Sequence, residues 1–330
     1  MISIDYNTIT ENAKKIKQRI GNGRLCAVVK SNAYGHGLMN TVQCLEGIAD
    51  VFAVDETADA LQIVPRPTLM LVPVQFEDCC RLIENGVMLT VDSFDTLSVV
   101  ESAAREVGKS AVVHVKLDTG MCRLGFITDE ADDLVCRLSL CNCIEVAGIY
   151  SHLSCADSDP EFTANQLNTF LKLAGQIKCV FPDAILHISN TDGLKYPQCR
   201  LDMVRVGIGL YGYGLEGVIP AKSCSARVIA VKSILPDSRV GYGGTLSDAK
   251  KLAVVKLGYA NGYARINKSV GGGWYDGKFL PIVGNVCMGM MMLDATDIKI
   301  DVGCWVEILS PQHIAIDNQQ IVYELLCNLR

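Results

Sequence analysis

The chain has 330 residues, 49% hydrophobic and 20% charged, with 30 Lys and Arg against 36 Asp and Glu for a formal net charge of −6. That composition supports a sizeable core, excludes a disordered chain and has the wrong sign for a nucleic-acid-binding protein. No apolar run approaches the roughly 18 residues needed to span a bilayer, and Met1 to Asp5 lacks the basic start and apolar stretch of a signal peptide, so a cytoplasmic chain without a membrane partner is expected.

Fifteen cysteines is an odd number, and several lie in apolar runs, which points to reduced thiols. The pair Cys79-Cys80 and the pair Cys141 and Cys143 lack zinc-ligand spacing to a second pair or to a histidine cluster. Core packing is expected of them, and no metal.

In chain order, Ile9, Ala13, Ile16 and Ile20 keep helical spacing, with Lys14, Lys15, Lys17 and Arg19 on the other face. The run Leu25 to Val29 is apolar at every position, as in a strand covered on both sides, and Lys30 follows it. An ammonium taken out of water loses its preference for the charged form, and a neutral amine can attack a carbonyl to form a Schiff base. Further apolar strand-like runs fall at 51–54, 68–72, 87–91, 111–117, 146–150, 185–188 and 203–206. The clearest helix between them starts at Asp159-Pro160 and carries the stripe Leu167, Phe170, Leu171, Ala174 and Ile177.

Eight alternating units over this length predict an α/β fold, a (β/α)8 TIM-type barrel over residues 1–220. Such barrels place chemistry at the C-terminal ends of their strands. Lys30, Lys116, His152, Asn190 and Arg205 with Gly207 all fall there. From residue 221 to 330 the segments become short, Val- and Ile-rich and broken by Gly and Pro. A C-terminal β-rich domain is expected, with the extreme N-terminal strand packing with it. The run Gly271-Gly272-Gly273 has no strand before it and no helix after it, and reads as a loop.

Val29-Lys30-Ser31-Asn32-Ala33-Tyr34-Gly35-His36-Gly37 closely resembles the pyridoxal-phosphate attachment signature of bacterial alanine racemases, and the resemblance continues over almost the whole chain. It implies a pyridoxal 5'-phosphate cofactor attached to Lys30, with Tyr34 helping to hold its phosphate. The stretch His114 to Gly125 is similar to the family's Lys-x-Asp-Thr-Gly-Met-x-Arg. That likeness implies that Lys116, often carbamylated in the family, orients Arg123 toward the cofactor's phenolic oxygen and the substrate.

The stretch Asp202 to Gly212 resembles the segment whose arginine, here Arg205, faces the pyridine nitrogen and whose amides, here Gly207 and Ile208, bind phosphate. A guanidinium can donate to that nitrogen but cannot readily protonate it, whereas the similar barrel decarboxylases place a carboxylate there. His152 matches the histidine that supports this arginine. Asn190 and Thr191 match an Asn-Ser pair, with Thr191 in place of serine.

In the second half, Val240 to Thr245 looks like the stretch bearing the second catalytic base, which falls on Tyr242, with Gly241 in place of the usual serine. Lys256 to Tyr263 places Tyr259 at the entrance, the Met288 amide is assigned to the substrate carboxylate, and Tyr323 matches a tyrosine that contacts phosphate and narrows the pocket. Gly289 stands where the family usually has an aspartate, which puts gating or substrate preference in question. The family's further basic and aromatic segment does not follow Arg330, from which altered stability or an altered dimer contact is expected.

The resemblance implies a homodimer with shared active sites, interconverting L-alanine and D-alanine for peptidoglycan. A serine or broad-specificity racemase is the nearest alternative. A non-catalytic pyridoxal-phosphate carrier on the same barrel is another.

Overall fold

The computed structural model describes residues 1–235, 237–269, 271–309 and 322–329. Arg330, on which the expectation about the C-terminus falls, lies outside them. The chain divides into two compact units, one of Ile9–Ala33 with Gly37–Val218, the other of Met1–Thr8, Tyr34–His36 and Ile219–Arg330. Strand β1 (Ile2–Ile4) opens the chain and belongs to the unit with the C-terminal strands.

The larger unit contains eight parallel strands: β2 (Arg24–Val28), β3 (Val51–Val54), β4 (Thr68–Met70), β5 (Leu89–Val91), β6 (Ala111–Lys116), β7 (Ile144–Tyr150), β8 (Ile185–His187) and β9 (Met203–Val206). They form two four-stranded ladders, β4-β3-β2-β9 and β5-β6-β7-β8. A parallel bridge between Leu69 and Met88 joins the ladders on one side. On the other, the Arg205 amide donates to Ser189 O at 3.0 Å and the Asp202 amide to Leu186 O at 3.1 Å. The result is the expected closed barrel. Its strands are covered inside and out, which is why runs such as Val51–Val54 and Met203–Val206 are buried throughout.

Helices Leu38–Cys44, Thr57–Ile63, Phe76–Glu84, Phe94–Val107, Ala131–Ser139 and Pro160–Lys178 link successive strands, while β8 and β9 are joined only by 3-10 turns at Asp192–Lys195 and Pro197–Cys199. The strict alternation therefore fails at the last crossover. In Pro160–Lys178 the Asp159 carboxylate caps the Phe162 amide at 2.9 Å. The buried stripe runs through Leu167, Phe170, Leu173, Ala174 and Ile177. Leu171 is exposed, contrary to the expected stripe. The face is centred on positions 163, 166, 170, 173 and 177, and residue 171 falls past its edge at 100° per residue.

The second unit carries β10 (Lys222–Ser233), β11 (Arg239–Val240), β12 (Thr245–Leu246), β13 (Lys251–Val255), β14 (Gly272–Tyr275), β15 (Lys278–Val283), β16 (Met291–Asp294) and β17 (Trp305–Leu309). Their sheet order is β1-β10-β13-β16-β15-β14-β17, and β17 pairs back onto β10, so the sheet returns on itself. The β10–β13 pairing shifts register at a bulge between Val228 and Ala230.

The expected loop at 271–273 is corrected here, because Gly272 and Gly273 are the first residues of β14. A Cβ on Gly272 would overlap Leu280 O, and one on Gly273 would overlap the Val306 side chain. These glycines allow close strand approach, which composition alone reads as a loop.

Candidate active site

Strand β2 ends at Val28, the Val29 amide still donates to Ala53 O at 2.9 Å, and Lys30 follows at the C-terminal rim of the barrel. The next four residues, Ser31, Asn32, Ala33 and Tyr34, all have φ of 53° or 54°. This is a left-handed helical turn of non-glycine residues, in which each L-residue is disfavoured by about 1–2 kcal/mol. It is held by Ala33 N to Val29 O at 2.8 Å, Gly37 N to Asn32 O at 3.0 Å and Leu38 N to Asn32 Oδ1 at 2.8 Å. Backbone strain of this kind persists where the surroundings over-determine it, and it clusters at functional sites.

Lys30 itself is not taken out of water, as the sequence reading expected. Its side chain is 40% exposed and Nζ pairs with Asp55 Oδ2 at 3.1 Å. Asp55 leaves the end of the neighbouring strand β3, so barrel closure supplies a counter-charge that local sequence does not show.

Arg205, on β9, is buried and, among the described residues, donates to uncharged acceptors. NH1 reaches His187 Nδ1 at 2.7 Å and His187 O at 3.1 Å; NH2 reaches Ser151 O at 2.6 Å, Ile188 O at 3.2 Å and His152 Nδ1 at 3.3 Å. Since arginine only donates, Nδ1 of His187 must accept, and its proton sits on Nε2. That Nε2 then donates to His114 Nδ1 at 2.8 Å. Gly148 makes room for this imidazole, since a Cβ there would overlap His114 Nδ1.

The Tyr150 ring stacks on His187 with centroids 4.9 Å apart and planes 2° apart, and both Arg205 and the Lys116 ammonium lie 5.0 Å from its centre. Its hydroxyl shares a hydrogen with Thr90 Oγ1 at 2.7 Å.

Burial, reinforced by the Arg205 charge, pushes His114 down to about 3 and holds His187 well below its ordinary value. His152 is likewise depressed by burial, then by Arg205, Lys116, Arg123 and Lys30. Lys116 is lowered to about 8 by burial and by Arg205 and Arg123, against the opposing pull of Asp92 and Asp118. Four cations therefore converge around one neutral imidazole. That imbalance suits an anionic ligand.

Arg123 is exposed, on a loop set by the Asp118 carboxylate, which accepts from the Gly120 amide at 2.9 Å and the Cys122 amide at 3.1 Å. Asn190 has its side chain occupied in holding its own loop: Nδ2 donates to Leu153 O at 3.1 Å and Oδ1 accepts from Gly193 N at 2.9 Å. The buried Thr191 hydroxyl accepts from Gly209 N at 3.3 Å, in the turn that Gly207 and Ile208 open at the end of β9.

In the other unit, Tyr242 sits at the tip of the β11–β12 hairpin and is 74% exposed. Gly241, Gly243 and Gly244 supply the positive φ angles of that turn, and Asn285 Nδ2 donates to Tyr242 O at 2.6 Å. Val240, packed with Leu252, Val283 and Met292, anchors the hairpin. Tyr259 and Met288 come together because the Tyr259 amide donates to Cys287 O at 3.1 Å and the Ala260 amide to Met288 O at 2.9 Å. Tyr323, on helix Val322–Asn328, has its ring centroid 5.9 Å from that of Tyr34.

Sequence reasoning assigned no part to His114, His187, Tyr150, Thr90 or Asp55. The available signal was a histidine inside an apolar strand, as in Ala111–Lys116 and Ile185–His187, where a buried polar group requires a partner.

A closed parallel barrel with a lysine just past its first strand and a cation-rich floor at the same rim defines a barrel enzyme that works on a small molecule. Family models described as alanine racemase N-terminal domain and alanine racemase C-terminal domain match residues 4–214 and 221–330. An alanine racemase of Methanococcus maripaludis is 33% identical over 98% of this chain and 94% of its own length. One of Yersinia pestis is 35% identical, over 99% and 95%. Among solved structures, alanine racemase from Clostridium difficile superimposes with a TM-score of 0.88 at 29% identity, covering 100% of this chain and 93% of that one. The enzyme from a D-cycloserine-producing Streptomyces lavendulae gives 0.93 at 25%, covering 100% and 94%. The chain belongs to the alanine racemase family, whose members use pyridoxal phosphate.

Proposed function

We propose that this protein is a pyridoxal-phosphate-dependent racemase that interconverts L-alanine and D-alanine. The observation that carries the reading is the buried Arg205, which among the described residues has neutral imidazoles and carbonyls as partners and no carboxylate. A donor-only group of this kind suits a ring nitrogen that stays unprotonated. The surrounding cations suit the cofactor's phosphate and phenolic oxygen.

When bound, the cofactor withdraws electrons from the substrate's α-carbon so that its proton can leave. Lys30 is the attachment point and, once released, the proton acceptor on one face. Tyr242 of the second chain in a homodimer serves the opposite face, because inversion requires proton removal and return on opposite sides. Arg205 limits the electron withdrawal and favours return of the proton to the same carbon. Thr191, Gly207, Ile208, Tyr34 and Tyr323 hold the phosphate, and His152 orients Arg205. Arg123 and the Met288 amide meet the substrate, and Tyr259 lines its entrance.

Lys116, buried and lowered to about 8, can lose its proton, and the neutral amine can add to carbon dioxide with release of a second proton to water. The carbamate would turn its repulsion of Arg123 into attraction.

The test is chiral chromatography of products from a panel of L-amino acids, using purified protein loaded with cofactor. D-alanine should dominate, and Lys30→Ala should lose both turnover and the borohydride-reducible cofactor bond. Preferential D-serine formation would move the assignment to a serine racemase, and cofactor uptake without any racemisation would leave a carrier.

A further inference from the structure

Lys222 is the first residue of β10 and has 0% solvent exposure. Among the described residues it has no carboxylate partner. Its ammonium has three hydrogens, and the structure gives it three acceptors, all backbone carbonyls: Leu326 O at 2.6 Å, Leu329 O at 2.9 Å and Gly35 O at 3.1 Å. Two of these lie at the C-terminal end of helix Val322–Asn328, where the last carbonyls lack intrahelical partners and partial negative charge gathers. Leu325, Leu326 and Leu329 are buried, so the protein has to satisfy these carbonyls itself.

The third carbonyl belongs to the corner after Tyr34. Gly35 has φ +72°, and a Cβ there would overlap Leu326 O and lie 2.9 Å from Lys222 Nζ. The helix end is therefore seated directly on backbone. A Cβ on Gly262 would likewise overlap Asn328 O, so a second glycine receives the same helix end.

We propose that Lys222 is a positioning residue for the phosphate end of the cofactor site: its ammonium ties the Tyr34-Gly35 corner to the helix that carries Tyr323, and so sets the spacing of the two phenols. The inference rests on the proposed function, which gives both tyrosines to the cofactor phosphate. Burial holds the Lys222 ammonium down to about 8, against the opposing pull of Cys224 and Cys327, so the cation is kept at an energetic cost. A methionine would fill the same space with no donor and leave the carbonyls unpaired. The junction therefore needs an ammonium where packing alone would accept a thioether.

The discriminating measurement is the dissociation constant of pyridoxal phosphate against that of pyridoxal, which lacks the phosphate, for wild type, Lys222→Met and Lys222→Gln. The methionine variant should bind pyridoxal phosphate roughly tenfold more weakly, equivalent to about 1.4 kcal/mol, with pyridoxal affinity unchanged. Glutamine, retaining an uncharged donor, should fall between. Equal weakening for both ligands would show a general loss of structure and overturn the proposal, as would unchanged affinity for both.

If the variants do not fold, hydrogen exchange on the wild-type protein decides. Pyridoxal phosphate should slow the amides of Tyr34–Gly37 and Leu325–Leu329 by a similar factor, and pyridoxal should slow neither. Independent responses of the two segments would overturn the proposal. Failure of wild-type protein to take up pyridoxal phosphate on Lys30 is a separate result, which sinks the proposed function.

Discussion

Arg205 gives an NH1 hydrogen to Nδ1 of His187 at 2.7 Å, which makes that imidazole a neutral acceptor and aims its other nitrogen at His114, 2.8 Å away. The guanidinium is thus held from beneath by groups that cannot neutralise it. Replacing His187 by Leu removes one acceptor from a buried charged donor and should destabilise the protein by about 1.5–3 kcal/mol. Urea unfolding measures the loss. The bound-cofactor spectrum should also change, because Arg205 is no longer aimed.

The histidine chain sets a pH dependence. His114 sits at about 3 when folded, against an ordinary 6.5, and His187 and His152 are depressed in the same direction. Between these values the unfolded chain binds more protons than the folded one, so stability is complete above about 6.5 and falls as pH drops toward 3. Each such histidine contributes a slope of up to about 1.4 kcal/mol per pH unit. Urea midpoints between pH 7 and 4 should trace this, and His114→Asn should flatten the curve.

Arg205→Glu reverses the charge opposite five neutral acceptors. The variant should lose about 3–5 kcal/mol of stability, since it leaves those acceptors facing a buried carboxylate. What remains folded should produce pyruvate alongside D-alanine, because a carboxylate favours a protonated pyridine. A clean racemase with no keto acid would refute the role given to Arg205.

Tyr242 is exposed on its hairpin, so Tyr242→Phe should leave the melting temperature unchanged. Racemisation should fall by at least about a hundredfold with loss of a proton-transfer group. Mixing this variant with Lys30→Ala protein should recover activity, since a mixed dimer pairs one intact Lys30 with one intact Tyr242. Activity that stays absent despite demonstrated subunit exchange argues against shared sites.

At Gly289 a Cβ would meet nothing within 4 Å. Gly289→Asp, which restores the residue usual in the family, should therefore keep stability within about 0.5 kcal/mol. Its effect should appear in KM for alanine, with kcat little changed.

The eight apolar runs, with Lys30, Lys116 and Arg205 at or near the ends of theirs, by themselves determined the barrel and the rim that bears the polar residues, because a strand covered on both faces leaves a continuous signature and the pattern breaks near its end. Local pattern also marked the start of helix Pro160–Lys178, since a cap and a proline act within one turn. Tertiary structure alone decided the rest. His114 and His187 are 73 residues apart and meet only because β6 and β8 flank β7. Asp55 reaches Lys30 only because β3 lies beside β2. The left-handed turn at 31–34 depends on bonds to Val29 and Asn32 that hold a conformation those residues disfavour alone. Lys222 becomes a buried clamp only because a helix more than 100 residues later ends against it, since hydrogen bonding and desolvation depend on spatial neighbours.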